Sequence, residues 1–152
     1  MKKIFVTQRV EEIKSYGEIR DCIDVKWNQL LKVAGYLPIL VPNSKMILED
    51  LLTEISPDGI LLTGGNDLYK YGGNAEQRDE VEAYLIQYAI RNKISVIGVC
   101  RGMQMIVDYF GGKLEKVENH VAVQHSIIGD TDTDKVNSFH NFGIYDTPDV
   151  LE

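Results

Sequence analysis

The chain has 152 residues, of which 44% are hydrophobic and 26% are charged, so it is long enough to form one domain with a substantial core. Its formal net charge of −7 and its pI near 5.0 argue against a nucleic-acid partner or an anionic membrane surface, since both require clustered lysine and arginine. No apolar run approaches the roughly 20 residues of a membrane helix, and the N-terminus lacks a secretory signal, so we expect a cytoplasmic protein.

The first part of the chain predicts a strand, a helix and a second strand. Short apolar runs bounded by turn residues predict the strands, at Lys3–Gln8 and Tyr36–Pro42. Cys22 lies between them, within a predicted helix, where we expect it to be a small buried side chain. The helix is predicted from apolar residues that recur at intervals of three and four residues and end before Gly35. They are Ile19, Ile23, Trp27, Leu30, Leu31 and Ala34.

The same alternation continues to residue 99. Asn43 or Ser44 is predicted to cap a second helix. A third helix is predicted at about Gln77–Asn92. The segments GILLTGG and ISVIGV are predicted strands with continuous apolar residues, as is typical of a parallel sheet covered on both faces. We therefore predict an α/β fold, a doubly wound and mostly parallel sheet with helices on both faces, whose ligand binds at the carboxyl ends of the strands.

The pattern weakens after Gly112 into short β-like segments, KLEKV, HVAVQHSI and KVNSFHN. An acidic turn with Asp130, Asp132 and Asp134 separates the last two. Its spacing resembles a calcium loop, but the central glycine and the distant bidentate glutamate are missing. We expect a solvated turn, no metal site and no cofactor, and we interpret residues 1–152 as a single domain.

The GVCRG segment is a G-x-C-x-G arrangement at a predicted strand-to-helix junction, with Cys100 at its centre. This pattern is typical of a nucleophile elbow, in which a tight turn exposes the reactive side chain. The N-terminus of the following helix favours a thiolate, and the N–H of Arg101 can face an oxyanion. The alternative is that Cys100 only packs at a crowded turn.

A second loop, TGGND, favours the nucleophile hypothesis over the packing alternative. Gly64 and Gly65 follow a predicted strand, so their bare backbone can approach a ligand closely. One of their N–H groups can supply the second oxyanion donor that a single elbow lacks.

Four motifs, in order along the chain, resemble the class I glutamine amidotransferase superfamily and, within it, the γ-glutamyl hydrolase branch. They are LLTGGNDLYKYGG, QRDEVE, GVCRGMQ and VNSFHNFGI. The resemblance implies a small-molecule γ-glutamyl substrate, cleaved through a γ-glutamyl thioester. Within the branch, it extends to small members of capsule phosphoramidate synthesis, which hydrolyse γ-glutamyl-CDP-amidate to glutamate and cytidine diphosphoramidate.

The resemblance also assigns roles to individual residues. Cys100 corresponds to the nucleophile, and the N–H groups of Arg101 and Gly64, with Gly65 beside them, correspond to the oxyanion hole. Residues that match substrate-binding positions are Gln104, His140, Asn141, Phe142, Gly143 and Ile144. Asp79 and Glu82, three residues apart at a helix start, are interpreted as N-terminal capping and helix-dipole residues rather than as an acid–base pair.

The general base is the difficulty in this assignment. A cysteine hydrolase needs an imidazole to accept the thiol proton, and the family keeps it in a His-x-Glu pair near its C-terminus. None of the three histidines is followed two residues later by glutamate. We therefore expect the pair beyond Glu152 and interpret the chain as C-terminally truncated. His140 is the alternative base, and we expect His120 and His125 to be surface or loop residues.

The leading hypothesis is a hydrolase of γ-glutamyl amides whose leaving group stays open between ammonia, polyamine derivatives and nucleotide amidates. Arg101 and Lys70 are the side chains that could meet a diphosphate. One alternative is a glutaminase subunit that passes ammonia to a partner synthase. Another is a non-catalytic γ-glutamyl-binding module. The sequence leaves the oligomeric state open.

Overall fold

The computed structural model describes residues 1–128 and 133–151. Within them the chain forms ten strands and four α-helices. In chain order these are β1 Lys2–Thr7, β2 Arg9–Ile13, β3 Glu18–Cys22, α1 Val25–Val33, β4 Tyr36–Val41, α2 Lys45–Glu54, β5 Gly59–Leu62, α3 Glu76–Asn92, β6 Ser95–Gly98, α4 Arg101–Tyr109, β7 Lys113–Lys116, β8 Val121–Ile128, β9 Thr133–Phe139 and β10 Phe142–Asp146.

The central sheet is parallel and has the strand order β4-β1-β5-β6. Successive residues of its strands point to opposite faces, so Phe5 and Val6 enter two different apolar clusters. Helix α1 covers the smaller cluster through Leu31, and α2, α3 and α4 cover the larger one. The predicted parallel sheet with helices on both faces is confirmed.

The prediction of a helix beginning at Ile19 was wrong. Residues 9–22 form a β2–β3 hairpin, and α1 begins only after Asp24, whose side chain accepts the N–H of Lys26 at 2.9 Å. Ile19 is 72% exposed in this hairpin, and Cys22 is a half-buried strand residue. The apolar spacing that suggested a longer helix therefore extended across a strand.

Contacts with distant residues hold this hairpin. The side-chain amide of Asn66 both accepts the N–H of Val10 and donates to its carbonyl, each at 2.9 Å, and Asp21 accepts two hydrogen bonds from Asn43. These partners lie in the loop after β5 and the loop after β4. Hydrophobic periodicity reports only local structure, so it contains no signal for such contacts.

The C-terminal part of the chain forms antiparallel two-stranded sheets that are separate from the central sheet, and Leu114 of β7 belongs to the larger apolar cluster. Strand β7 pairs with β10, and β8 pairs with β9. The three predicted β-like segments are thus confirmed, and β10 is an additional strand. Asp130 and Asp132 lie outside the described residues, as does the side chain of Asp134, so the solvated turn and the absence of a metal stay predictions. Across the described parts of the chain, no helix is both long and apolar enough to cross a membrane.

Candidate functional site

Cys100 occupies the sharp turn between β6 and α4, where it is the N-cap residue of the helix. Its φ of 54° and ψ of −110° place a non-glycine residue at positive φ, a conformation that costs on the order of 1–3 kcal/mol. The side chain is exposed. A strained, exposed cysteine at a helix N-terminus is the geometry that the G-x-C-x-G pattern predicts.

The two glycines of the elbow permit this turn by their lack of a side chain. A Cβ on Gly98 would lie 2.5 Å from the main-chain carbonyl carbon of Gly102, and one on Gly102 would overlap the carbonyl oxygen of Leu62. Larger residues would push α4 away from β5 and β6. Close packing of these elements is therefore a condition for the position of Cys100.

Gly64 lies next to Cys100 because β5 and β6 are adjacent parallel strands. Leu62 pairs with Gly98, so the residue two positions beyond each strand emerges at the same edge. A Cβ on Gly64 would lie 3.4 Å from the Cβ of Cys100 and 3.8 Å from its Sγ. Within the described chain, we find no protein acceptor for the main-chain N–H of Gly64 or of Arg101.

A buried ion-pair network lies directly beneath these two loops. Arg78 and Glu82 of α3 have fully buried side chains and pair at 2.9 Å, and Arg101 of α4 is 1% exposed and pairs with both Glu82 and Asp79. Burial lowers the pKa of the Arg78 guanidinium and raises the pKa of the Asp79 carboxyl. The network is thus a set of four charges compensated mainly by one another.

This network corrects the interpretation of Asp79 and Glu82 as capping residues. Asp79 does lie in the first turn of α3, where a carboxylate complements the helix dipole, but Glu82 lies beyond that turn. The N-cap of α3 is Ala75, which makes no side-chain cap, and Asp79 accepts the N–H of Tyr69 at 2.8 Å in addition to its pair with Arg101. Sequence analysis also missed Arg78. Its only signal was the i, i+4 spacing to Glu82, which is equally typical of an exposed helical pair.

The proposed contact of Arg101 and Lys70 with a diphosphate does not match their observed partners. The Arg101 guanidinium is buried and faces Glu82 and Asp79. Lys70 is exposed and pairs with Asp108 at 2.6 Å. Burial therefore removes Arg101 from contact with a ligand, although its main-chain N–H remains at the elbow.

Gln104 and His140 converge on the main-chain carbonyl of Phe142. Gln104, one turn into α4 from Cys100, donates its Nε2 at 2.7 Å, and Nδ1 of His140 lies at 2.9 Å. A carbonyl oxygen only accepts, so Nδ1 of His140 carries the proton and Nε2 is left as the ring's acceptor in the neutral form. The Gln104 bond attaches β10 to the elbow helix α4, and the His140 bond is local to the segment between β9 and β10.

Two cavities meet at Cys100. The smaller, of about 250 Å³, is lined by Gly64 and Gly65 together with Arg9, Cys22, Trp27 and others. The larger cleft, of about 1140 Å³, is lined by Cys100 and α4 on one side and by the C-terminal strands on the other. Predicted substrate-binding residues that line this cleft are Gln104, His140, Phe142, Gly143 and Ile144.

Asn141 differs from the other predicted substrate-binding residues, because it is absent from the lining of either cavity. Its side-chain amide donates to Asp67 at 2.8 Å, and its carbonyl accepts the N–H of Val117 at 2.9 Å. These bonds join the loop after β5 to the C-terminal strands. The structure therefore places Asn141 in a connecting role beside the site.

The remaining histidines differ in how they match the expectation of surface or loop residues. His120 lies in the loop before β8, as expected, whereas His125 lies within β8; both are half-buried and line the large cleft. The ring centroid of His120 lies 4.8 Å from that of His125 and 5.1 Å from that of His140. Three imidazoles thus form a row on the far wall of the cleft.

Comparison with known proteins adds independent findings. The sequence profile of the Peptidase C26 family matches residues 4–127. The γ-glutamyl-CDP-amidate hydrolase of Campylobacter jejuni is 32% identical over 148 residues, which cover 93% of this chain and 71% of that protein. The γ-glutamyl-γ-aminobutyrate hydrolase of Escherichia coli K12 is 30% identical over 112 residues, which cover 66% of this chain and 43% of that protein.

Solved structures agree on the fold. A glutamine amidotransferase from Thermotoga maritima superimposes with a TM-score of 0.62 at 15% identity, covering 97% of this chain and 64% of that one. At this identity the likeness concerns the fold. The chain spans less than two thirds of the length of that structure and of the E. coli relative.

Proposed function

Because the chain belongs to the Peptidase C26 family of amide hydrolases, we propose that it cleaves a γ-glutamyl amide bond with Cys100 as the nucleophile. The observation that carries this proposal is the elbow itself. Cys100 is exposed and strained at the start of α4, and Gly64 lies so near that a Cβ added to it would be 3.4 Å from the Cβ of Cys100 and 3.8 Å from its Sγ. Membership of this family favours an enzyme over a non-catalytic binding module.

The reaction follows from the chemistry of a thiolate beside a carbonyl. Sγ of Cys100 attacks the γ-carbonyl carbon, a C–S bond forms, and the oxyanion is held by the N–H groups of Arg101 and Gly64, with Gly65 beside them. The C–N bond then breaks, and the leaving amine takes a proton. Water hydrolyses the thioester, which releases glutamate and restores the thiol.

Proton transfer requires an imidazole, and among the residues that line the cleft we propose His140, the alternative base of the sequence analysis, for this step. Its Nδ1 is held by the carbonyl of Phe142 at 2.9 Å, which leaves Nε2 as a proton acceptor. This resembles the orientation of a catalytic histidine by a hydrogen bond to its other nitrogen. Gln104, Phe142, Gly143 and Ile144 are proposed to contact the glutamyl end of the substrate.

For the leaving group we propose a nucleotide amidate, so that γ-glutamyl-CDP-amidate gives glutamate and cytidine diphosphoramidate, as in capsule phosphoramidate synthesis. Two observations support this choice. The γ-glutamyl-CDP-amidate hydrolase of C. jejuni is similar to 93% of this chain. The cleft of about 1140 Å³ also has room for a leaving group much larger than ammonia.

Intact-protein mass spectrometry with a substrate panel tests the proposal. The panel contains γ-glutamyl-CDP-amidate, γ-glutamyl-γ-aminobutyrate and glutamine, and the variants are Cys100→Ser and, as a control on the other thiol, Cys22→Ser. We expect a glutamyl adduct on the wild type and on Cys22→Ser that is absent from Cys100→Ser, with the CDP-amidate reacting fastest.

Each other outcome has its own meaning. If glutamine reacts fastest and a partner synthase stimulates the reaction, the glutaminase subunit becomes the better account. If an adduct forms equally on Cys100→Ser, Cys100 is not the nucleophile. If no member of the panel forms an adduct, the γ-glutamyl hydrolase proposal fails.

A further inference from the structure

We propose that Arg78 and Arg101, joined by the buried carboxylate of Glu82, are positioning residues that aim the two sides of an oxyanion hole at Cys100. The inference rests on the proposed nucleophilic role of Cys100. Neither guanidinium reaches the reacting atoms. Each acts through the main chain that it holds.

The Arg78 guanidinium donates hydrogen bonds to three successive main-chain carbonyl groups of the loop after β5. Its Nη2 donates to the carbonyl of Thr63 at 2.8 Å, and its Nη1 donates to the carbonyls of Gly64 and Gly65 at 3.2 and 2.6 Å. A trans peptide places its N–H opposite its C=O. The N–H groups of Gly64 and Gly65 therefore point away from Arg78.

Arg101 holds the other side of the hole. Its side chain is anchored below the elbow by Glu82 and Asp79, while its main-chain N–H belongs to the peptide that directly follows Cys100. Helix α4 begins at this residue, so the N–H lies at the positive end of the helix dipole. A displaced Arg101 side chain would rotate this peptide and the elbow with it.

Glu82 couples the two sides because each of its carboxylate oxygens pairs with one arginine. Oε1 accepts Nε of Arg78 at 2.9 Å, and Oε2 pairs with Nη1 of Arg101. All three side chains are nearly excluded from solvent. Buried ion pairs contribute little net stability relative to apolar residues of similar size, so we assign this network a geometric role rather than a stabilising one.

The geometric role predicts a selective defect. Attack on an acyl donor creates an oxyanion and depends on the aimed N–H groups, whereas alkylation by iodoacetamide displaces iodide and creates none. The ratio of the acylation rate to the alkylation rate of Cys100 therefore reports the oxyanion hole. Thiol exposure and thiolate fraction affect both reactions and cancel in this ratio.

The test uses p-nitrophenyl acetate as the acyl donor, since it requires no recognition of a glutamyl group. The thiolate attacks the ester carbonyl, the C–S bond forms and p-nitrophenolate leaves with the electron pair. Peptide mass spectrometry follows modification at Cys100 and, as an internal reference thiol, at Cys22. The variants are Arg78→Lys and Arg101→Lys, which keep the charge but lose the planar fork of donors. Arg91→Lys, on the exposed side of α3, is the matched control.

In the wild type we expect a higher acylation-to-alkylation ratio at Cys100 than at Cys22. Arg78→Lys and Arg101→Lys are expected to lower the ratio at Cys100 by about 10- to 100-fold, because small misplacements of catalytic groups have effects of this size. Arg91→Lys should leave it unchanged. Circular dichroism confirms that each variant is folded, and either arginine variant alone is sufficient for the test.

The inference is overturned if the ratio at Cys100 equals that at Cys22 in the wild type, or if folded arginine variants keep the wild-type ratio. Failure of the proposed function looks different. In that case the ratio at Cys100 still depends on Arg78 and Arg101, but γ-glutamyl donors leave no adduct on Cys100.

Discussion

The two sides of Cys100 are built in different ways. On one side, Arg78, Glu82 and Arg101 are between 0% and 1% exposed and hold the loops around the elbow by ion pairs and carbonyl contacts. On the other, the antiparallel strands that form the far wall of the cleft include Phe139 and Tyr145, which are 64% and 71% exposed. The side that carries the proposed oxyanion donors is thus the buried one.

This difference indicates where geometry is firmly set. Backbone held by buried charges moves only if those charges lose their partners, which is strongly unfavourable. Two-stranded segments with exposed side chains have few such restraints, so they open more easily. We therefore expect changes on the buried side to affect both stability and chemistry, and changes on the cleft wall to affect mainly the binding of the leaving group.

The largest effect is expected from Glu82→Gln, which removes the charge that both buried arginines share. Loss of one partner from a buried ion pair typically costs about 3–5 kcal/mol, because it leaves an uncompensated buried charge. Urea unfolding measures this loss. Glu80→Gln, two residues earlier and exposed, is the control and should stay within about 0.5 kcal/mol of the wild type. Equal effects of the two substitutions would contradict the buried network.

A smaller effect is expected from Gly102→Ala at the elbow. The added methyl group would overlap the carbonyl oxygen of Leu62, so α4 must shift. Overpacking of this kind typically costs about 1–3 kcal/mol. Urea unfolding gives the stability loss, and the acylation rate of Cys100 should fall in the same variant.

The adjacent substitution Met103→Ala is the control for this prediction. Met103 is 49% exposed and lies on the same helix, so we expect a smaller loss of stability. If Gly102→Ala is as stable as the wild type, the close approach of α4 to β5 is not required.

The smallest effect concerns Asp79, at the rim of the buried side. Burial raises its pKa above 3.8, so between the unfolded and folded pKa values the native state binds the proton more tightly. The resulting stabilisation is present below pH 3.8 and is lost as the pH rises through the folded pKa.

Asp79→Asn removes this titration. Urea unfolding from about pH 4 to about pH 7 should therefore show the wild type losing stability relative to the variant as the pH rises. A difference that is constant across this range would show that Asp79 titrates as it does in the unfolded chain.

The sequence by itself determined most of the α/β scaffold and the position of the nucleophile candidate. The apolar runs of β1, β4, β5 and β6 and the faces of α2 and α3 are local patterns, and the elbow glycines flank Cys100 within five residues of chain. Signals of this kind arise from residues that are close in sequence, so they can be recognised without knowledge of the fold.

Only the tertiary structure decided the β2–β3 hairpin and the role of the charged residues in QRDEVE. Asn66 is hydrogen-bonded to Val10, which lies 56 positions away in sequence, and Glu82 forms an ion pair with Arg101, which lies 19 positions away. An arginine and a glutamate four residues apart give the same sequence pattern whether their side chains face water or the core. Burial decides between the two, and burial depends on how β5, α3 and α4 pack together, which no local pattern contains.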